Sequence, residues 1–421
     1  MPNRVIRNVT RDCQRLVDGV TCGVSFRCRH DSIRKFCDSH TSIRRGTGNG
    51  ADTSDPRFGE SASAQQEPKE DLRTSFDSMA KTFLDTHRPL PPIPDKIFAI
   101  RQEEMGFDTE QEMIALFSDY HYGSSIDPRV AAGMANYNPA MARERLSRWA
   151  YGLLRFTQQD QFLLPVRTLH IFALGDDMEG HGAMFGTQGL QMDMSMGFQV
   201  VGFVDDMSQI LPQLLSRYDK VNVYKVHGNH GRIAARAKDA YPPDNAELFA
   251  WQMIAERITG NYNDKVVEST ETGVRHYAGG PFEFFISPSF IMFLDILNFS
   301  HAIRHGHGIK GLQATYTGAI NNKLRMNAII GEVLNYYVKA HLHEAQNAEN
   351  EIRGEIIQNG CFVGPSLLSV EMSQAAASLP SQEMWLLHPR KGITNRHRIT
   401  LAEVDEIRQI EWLGRKERTF K

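Results

Sequence analysis

Five apolar runs, each ending in a short turn that carries histidine, aspartate or asparagine, constrain this chain more than any other feature. The clearest is Tyr224-Lys-Val-His-Gly-Asn-His-Gly-Arg232, where a β-prone run (Val221, Val223, Tyr224, Val226) stops at Gly228-Asn229-His230-Gly231. Glycine and asparagine turn a backbone, and a helix-like stretch, Ile233-Ala-Ala235, follows. Such a strand delivers Asn229 and His230 to the carboxyl edge of a sheet, where α/β folds place their ligands. An Asn amide oxygen can bind a hard or borderline cation, and the adjacent His can donate a proton. One such turn alone is equally well explained by the turn-forming habit of Gly and Asn.

The other four raise the odds together. The run from Met113 ends in Asp119-Tyr-His121-Tyr-Gly123, and Thr168–Leu174 ends in Gly175-Asp176-Asp177-Met-Glu179. Further on come His301-Ala-Ile-Arg304-His305-Gly306-His307-Gly308 and, after Tyr337-Val-Lys, Ala340-His341-Leu-His343-Glu344. Alternation along a strand puts Asp119 with His121, and His341 with His343, on one side. Helical patterns over 141–158, 207–218 and 240–265 separate the strands, a β-α-β-α-β rhythm that predicts a largely parallel sheet. Strands at 281–287 and 290–296 read as a hairpin or sequential pair, and 356–363 and 383–388 as closing strands. Cys361, on an apolar run without a metal-spaced partner, reads as a buried core thiol.

Bulk properties narrow the class. With 421 residues, 41% of them hydrophobic, the chain can bury one large core and carry a smaller second unit. A formal net charge of −3 gives no global attraction to nucleic acid or acidic membranes. The first twenty residues lack the apolar core of a secretory signal. The most apolar stretch, 282–297, is broken by Ser287, Pro288, Ser289 and Asp295 and reads as buried strands, not a bilayer span. Five cysteines, crowded toward one end, argue for a reducing compartment, hence a cytoplasmic protein.

Residues 1–40 form a unit of their own. Cys13, Cys22, Cys37 and His40 resemble small modules that read Cys…Gly…Cys…aromatic-Cys-x2-His, with Gly19 at the turn and Cys28 as a spare or alternative ligand. Three thiolates and an imidazole can close a tetrahedral structural zinc site, and the metal supplies folding energy that so short a segment lacks. A reduced tail with incidental cysteines is the plain alternative. Residues 41–94 are a polar linker with a short helix at 72–86 and a Pro-rich approach, Pro89-Leu-Pro-Pro-Ile-Pro94. The main domain is expected over 95–402 and a charged tail over 403–421.

As a set, Asp-x-His, Gly-Asp, Gly-Asn-His, His-Gly and Ala-His-x-His resemble the motifs of the calcineurin-like metallophosphoesterases over residues 113–365, and Gly-Asn-His-Gly-Arg is similar to phage- and prophage-encoded versions. The resemblance implies an α/β sandwich of two mixed β-sheets flanked by helices, with a di-metal site across its top. It implies Asp119, His121 and His343 on one metal, Asp176 bridging, and Asn229, His305 and His341 on the other. Two cations roughly 3.5–4 Å apart clamp an in-line phosphoryl displacement and acidify a bridging water; oxygen and imidazole ligands suit Mn, Fe or Zn. His230 would be the proton donor, Glu179 its orienting carboxylate and Arg232 a phosphate clamp. Three departures stand out: Gly231 replaces an Asp or Glu common in relatives, Ala340 replaces a Gly, and Asp119 and Asp176 are separated by extra chain around 125–145. His301 and His307 compete for the place of His305, favoured because it comes first after the apolar approach and precedes a Gly.

The expected function is di-metal-dependent phosphoester hydrolysis, with phosphodiesters such as DNA or RNA as substrates. A phosphomonoesterase acting on phosphoproteins or metabolites is the alternative. The third reading is a nucleic-acid-binding protein whose phosphoesterase domain is idle. Many members of the family dimerise, and no feature of this sequence decides the oligomeric state; no membrane partner is expected.

Overall fold

The computed structural model describes residues 110–407 apart from 162–164, 183–187, 235, 237–238, 263–264, 269–270, 308–315, 352–353 and 372–378, together with the backbone of four short strands before residue 30. Cys13, Cys22, Cys37 and His40, the linker with its 72–86 helix, Gly308 and the tail beyond 407 lie outside the described residues. The chain divides into two compact units, Met1–Ser75 and Phe76–Lys421. In the first, β1 (Asn8–Asp12) pairs antiparallel with β4 (Ser25–Arg29), and β2 (Leu16–Val17) with β3 (Val20–Thr21). Cys28 stands on β4, opposite Val9.

The second unit holds two mixed sheets. The larger has eight strands in the order β17-β16-β5-β6-β7-β10-β9-β8. Its centre, β5 (Gln111–Phe117), β6 (Val166–Ala173), β7 (Lys220–Lys225) and β10 (Phe282–Ile286), is parallel. Outside it, β16 (Ser381–His388) and β17 (Gly392–Thr400) run antiparallel on one side, β9 (Arg275–Gly279) and β8 (Lys265–Glu268) on the other. The smaller sheet has five strands, β11 (Ile291–Ile296), β12 (Phe299–Arg304), β13 (Tyr336–Lys339), β15 (Gly354–Gln358) and β14 (Gln346–Glu351), with β12, β13 and β15 parallel.

Period-two alternation sorts the core. On β5, Ile114 and Leu116 face the other sheet, packing with Phe172, Ile303, Val338 and Ile357. Met113, Ala115 and Phe117 face the opposite way, onto helices α1 (Pro139–Gln161), α2 (Met196–Ile210) and α3 (Ala246–Thr259). The smaller sheet turns Ala302, Tyr337 and Ile356 onto α4 (Tyr316–Ile330). The result is a helix–sheet–sheet–helix sandwich, as expected from sequence. Phe117 anchors the end of β5: Trp149, Trp251 and Phe362 lie 5.1–6.3 Å from it, centroid to centroid. Truncating such a ring costs about 3–5 kcal/mol, so the backbone just before Asp119 is firmly held.

Three expectations need correction. The 281–287 and 290–296 segments are not a hairpin: β10 joins the larger sheet and β11 the smaller, because Ser287-Pro288-Ser289 cannot continue a ladder and carries the chain across. No helix starts at Ile233: Ile233 and Ala234 lie in a bend, and a bridge joins Arg232 to Asn245. The 207–218 helix begins earlier, at Met196, and ends as a 3-10 turn over Leu211–Ser216. The extra chain between Asp119 and Asp176, by contrast, is as expected: a loop over 125–138 followed by the 23-residue α1. Among the described residues no helix is long and apolar enough to cross a membrane.

Candidate metal centre

Every ligand implied by the motifs lies just past the end of a parallel strand, and all converge on the edge where the carboxyl ends of both sheets meet. Strand alternation does not bring them together. β5 stops at Phe117 and β13 at Lys339, short of the residues in question. Beyond the strand ends the backbone turns left-handed instead: φ is 54° at Asp119, 46° at His121, 55° at Asp176, 77° at His341 and 60° at His343. Only eight non-glycine residues among those described have positive φ, and five are these. Such a backbone costs free energy at residues with a Cβ and persists only where its surroundings impose it. Here the loops after β5 and β6 impose it on each other, through Asp119 N to Gly175 O and His121 N to Asp176 O, both 2.9 Å.

Two glycines let the loops approach. A Cβ at Gly228 would sit 2.1 Å from Asp176 Oδ1, and one at Gly175, whose φ is 105°, would sit 2.2 Å from Gly228 N. The amides of Asn229 and His230 can therefore both donate to Asp176 Oδ1, each at 2.8 Å. With Oδ1 pinned, Oδ2 remains, 2.9 Å from His305 Nε2 and 3.9 Å from His121 Nε2. Around it are two sets whose ligand atoms all lie within 4.8 Å of one another, Asp119–His121–His343 and Asp176–His305–His341. His121 Nε2 faces His343 Nε2 at 3.2 Å, and His305 Nε2 faces His341 Nδ1 at 3.1 Å. His343 Nε2 is 3.4 Å from Asp119 Oδ1.

The donor chemistry fits divalent cations. His305 Nδ1 donates to Leu174 O (3.1 Å) and His121 Nδ1 to Glu179 Oε2 (3.0 Å), which leaves both Nε2 atoms as lone-pair donors aimed at other lone pairs. Nitrogen lone pairs brought to 3 Å repel unless a proton or a cation lies between them. Asn229 Oδ1 is buried without a hydrogen-bond partner, as a ligand oxygen would be. The electrostatics are those of a site that attracts positive charge: against burial, Asp176 raises the His305 pKa, and His343 is raised well above its ordinary value. Burial alone would raise the Asp176 pKa, but His305, His230 and His121 hold it well below the usual carboxylate range. Burial likewise opposes ionisation of Asp119, and His343 nevertheless brings it down to about 2. Burial and the neighbouring His305 push His341 down to about 4, keeping its ring neutral.

The three competing histidines separate. His305 joins Asp176 and His341; His301 is buried between the sheets against Phe172 and Tyr336; His307 lies beside the site, outside both ligand sets. Glu179 does more than orient His230. Its carboxylate holds His121, its carbonyl accepts from His230 Nδ1 at 2.9 Å, and Gln188 fixes its other oxygen at 2.7 Å. A third cluster, His121–Glu179–His230, results. Arg232 is buried, and its guanidinium donates to Ala234 O and Asn229 O, so the clamp expected there is tied to the loop itself.

Glu247 escaped the sequence reading. It lies in the first turn of α3, capped by Asn245, and is fully buried. Its Oε1 accepts from the amides of Asp176 (3.1 Å) and Gly231 (3.2 Å), its Oε2 from that of Gly228 (2.9 Å) and from Lys225 Nζ (3.0 Å). A Cβ at Gly231 would lie 2.6 Å from Glu247 Cγ. The carboxylate that seemed missing at 231 is thus delivered from the next helix into the same space. Asn245 followed two residues later by Glu247 is a helix-start signal, the one hint the sequence offered. Lys225 also pairs with Asp177, whose carboxyl burial raises to about 7. Cys361 is buried, as expected, and lies against His343.

No protein-family model and no curated protein matches the chain. Among solved structures it is similar to a zinc complex of Vps29 from Entamoeba histolytica, at 9% identity over 69% of this chain and 99% of that one, with a TM-score of 0.27. It is similar to a dimetal phosphatase from Danio rerio at 10% identity over 69% and 99%, TM-score 0.30. For a 5'-nucleotidase from Candida albicans the identity is 10% over 75% and 53%, TM-score 0.31. At these scores the likeness adds nothing to what the residues themselves show.

Proposed function

We propose that the protein is a metal-dependent phosphoester hydrolase that prefers diesters. The observation that carries this reading is Asp176, with one carboxylate oxygen pinned by two amides and the other shared between two ligand sets. Asp119, His121, His343 and Asp176 would hold one divalent cation; Asp176, Asn229, His305 and His341 would hold the other. Such a pair supplies Lewis-acid activation of water and neutralises charge developing on the phosphoryl oxygens.

The chain's own groups do the rest. His230, its Nδ1 bonded to Glu179 O, carries a proton on Nε2 to the leaving oxygen, a role worth about 10²–10⁴-fold. Its ring stands perpendicular to that of His121, 4.4 Å away, so Glu179 fixes ligand and acid together. The arginines favour a diester over a monoester. A dianionic phosphate is best held by guanidiniums free to turn their forks toward it, whereas Arg232 is tethered to Ala234 O and Asn229 O, and Arg304 to His307 O with its guanidinium over Phe290. Nucleic acid is the diester class we favour.

The test strips bound metal, titrates Mn²⁺, and follows bis-p-nitrophenyl phosphate beside p-nitrophenyl phosphate. Diester cleavage that is lost in Asp176→Asn supports the proposal. Preference for the monoester would redirect it to a phosphatase, and no turnover with Mn²⁺, Zn²⁺ or Fe²⁺ would overturn it.

A further inference from the structure

Beside the ligand sets, and sharing only Asn229 with them, lies a cavity of about 200 Å³. Asn229 and Arg232 form the wall nearest the ligand sets; Tyr241, Phe290, His227 and His307 also line it. Two features mark it as built for a ligand. Tyr241 and Phe290 leave 65% and 43% of their surface exposed, on rings that packing would ordinarily bury. Phe290 is nonetheless held, with the Arg304 guanidinium over its ring at 5.4 Å. The second feature is His227, only 5% exposed. Its Nδ1 donates to Gly228 O at 2.9 Å, and its Nε2 is buried with no partner. His227 Nε2 is therefore an acceptor, left unsatisfied until a ligand or water brings it an N–H or O–H, while His307 Nδ1 is a second unpartnered ring nitrogen on a residue of the same lining.

Exposed aromatic rings, an unsatisfied acceptor at the edge and a phosphoester centre next door together describe the complement of one chemical group. We propose that this cavity binds the nucleobase of the nucleotide whose phosphate is cleaved. The base stacks on Tyr241 or Phe290 and presents an N–H to His227, with His307 beside it. Arg232, bonded to Asn229 O, stiffens the wall between base and phosphate. This rests on the hydrolase reading for the phosphate, though not for the base.

The experiment compares two esters with the same leaving group, thymidine 5'-(p-nitrophenyl phosphate) and methyl p-nitrophenyl phosphate, on the Mn²⁺-loaded protein. The readout is the ratio of their kcat/KM values. We expect the nucleoside ester to be favoured at least 10-fold, and Tyr241→Ala or Phe290→Ala to cut that ratio several-fold, as loss of a base–aromatic stack does. Tyr241→Phe, which keeps the ring, should keep the ratio. A second arm needs no turnover: calorimetric titration of the metal-free protein with thymidine 5'-monophosphate against ribose 5-phosphate. Competition by a single-stranded oligonucleotide then separates a polynucleotide from a free nucleotide as the source of the base. If methyl p-nitrophenyl phosphate is cleaved but the ratio is near one and unmoved by Tyr241→Ala, the base site is refuted while the hydrolase stands. If neither ester is cleaved yet the nucleotide still binds tighter than ribose phosphate, the base site stands and the hydrolase fails.

Discussion

Replacing Glu247 by glutamine removes one charge and one acceptor from the place where four donors converge. The carboxylate takes the amides of Asp176, Gly228 and Gly231 and the Lys225 ammonium. An amide side chain can keep its oxygen toward Asp176 and Gly231, but its NH₂ then faces Gly228 N and Lys225 Nζ, two donors. Hydrogen bonds to a charged group are worth about 1.5–3 kcal/mol each, and breaking a buried ion pair costs about 3–5 kcal/mol. Lys225 keeps Asp177 as a partner, which holds the loss to the lower end of that range. We therefore expect Glu247→Gln to lose about 3 kcal/mol. Glu247→Ala, which strands the three amides and leaves Lys225 with Asp177 alone, should lose about 5 kcal/mol, a large share of the about 5–15 kcal/mol that keeps a domain folded. Urea unfolding of the metal-free protein, followed by tryptophan fluorescence, measures both. Because the same amides shape the Asp176 and Asn229 loops, Mn²⁺ uptake should weaken in parallel, which an ordinary core defect far from the loops would not cause. A Glu247→Gln protein with an unfolding free energy within about 0.5 kcal/mol of the parent and unchanged metal affinity would refute this account of the site.

Three further outcomes follow from the same geometry. Gly228→Ala should abolish metal uptake, measured by inductively coupled plasma analysis of purified protein, because its Cβ would sit 2.1 Å from Asp176 Oδ1; full metal content would refute the close-approach argument. His230→Gln should lower kcat by about 10²–10⁴ with metal content unchanged, since the ring lies outside both ligand sets. His301, buried between the sheets and close to His170, has its pKa pushed down to about 3 from 6.5. Its folded form rejects a proton that the unfolded chain accepts. Stability should therefore be full above pH 6.5 and fall progressively as the pH drops toward 3, by up to about 5 kcal/mol. His301→Phe should flatten that acid limb in urea titrations at pH 4 and pH 7, and an unchanged limb would assign it to other groups.

Much of this architecture was legible in the chain because strand ends announce themselves. Apolar runs alternating in period two gave β5, β6, β7 and β13, and glycines beside Asp176 and Asn229 marked where loops touch. What stayed hidden depends on contacts distant in sequence. Nothing near residue 231 shows that a carboxylate arrives from residue 247, since that requires knowing where α3 points. The left-handed backbone at Asp119, His121, His341 and His343 was equally invisible: it is imposed by neighbouring loops, against the local preference of those residues. The strand β11 is legible but its partner is not, because a short apolar strand carries no mark of which sheet it joins, and only the break at Pro288 hints at the change.

The division of the ligands between the two sheets also sets an order in time. Asp119, His121, Asp176 and Asn229 follow strands of the larger sheet, while His305, His341 and His343 follow strands of the smaller. A chain emerging from the ribosome displays the first four long before the last three exist. Neither ligand set is complete until synthesis has reached residue 341, so a firmly held cation would be a late arrival that ties loops of one sheet to loops of the other. Its binding free energy would then count toward keeping the two sheets together.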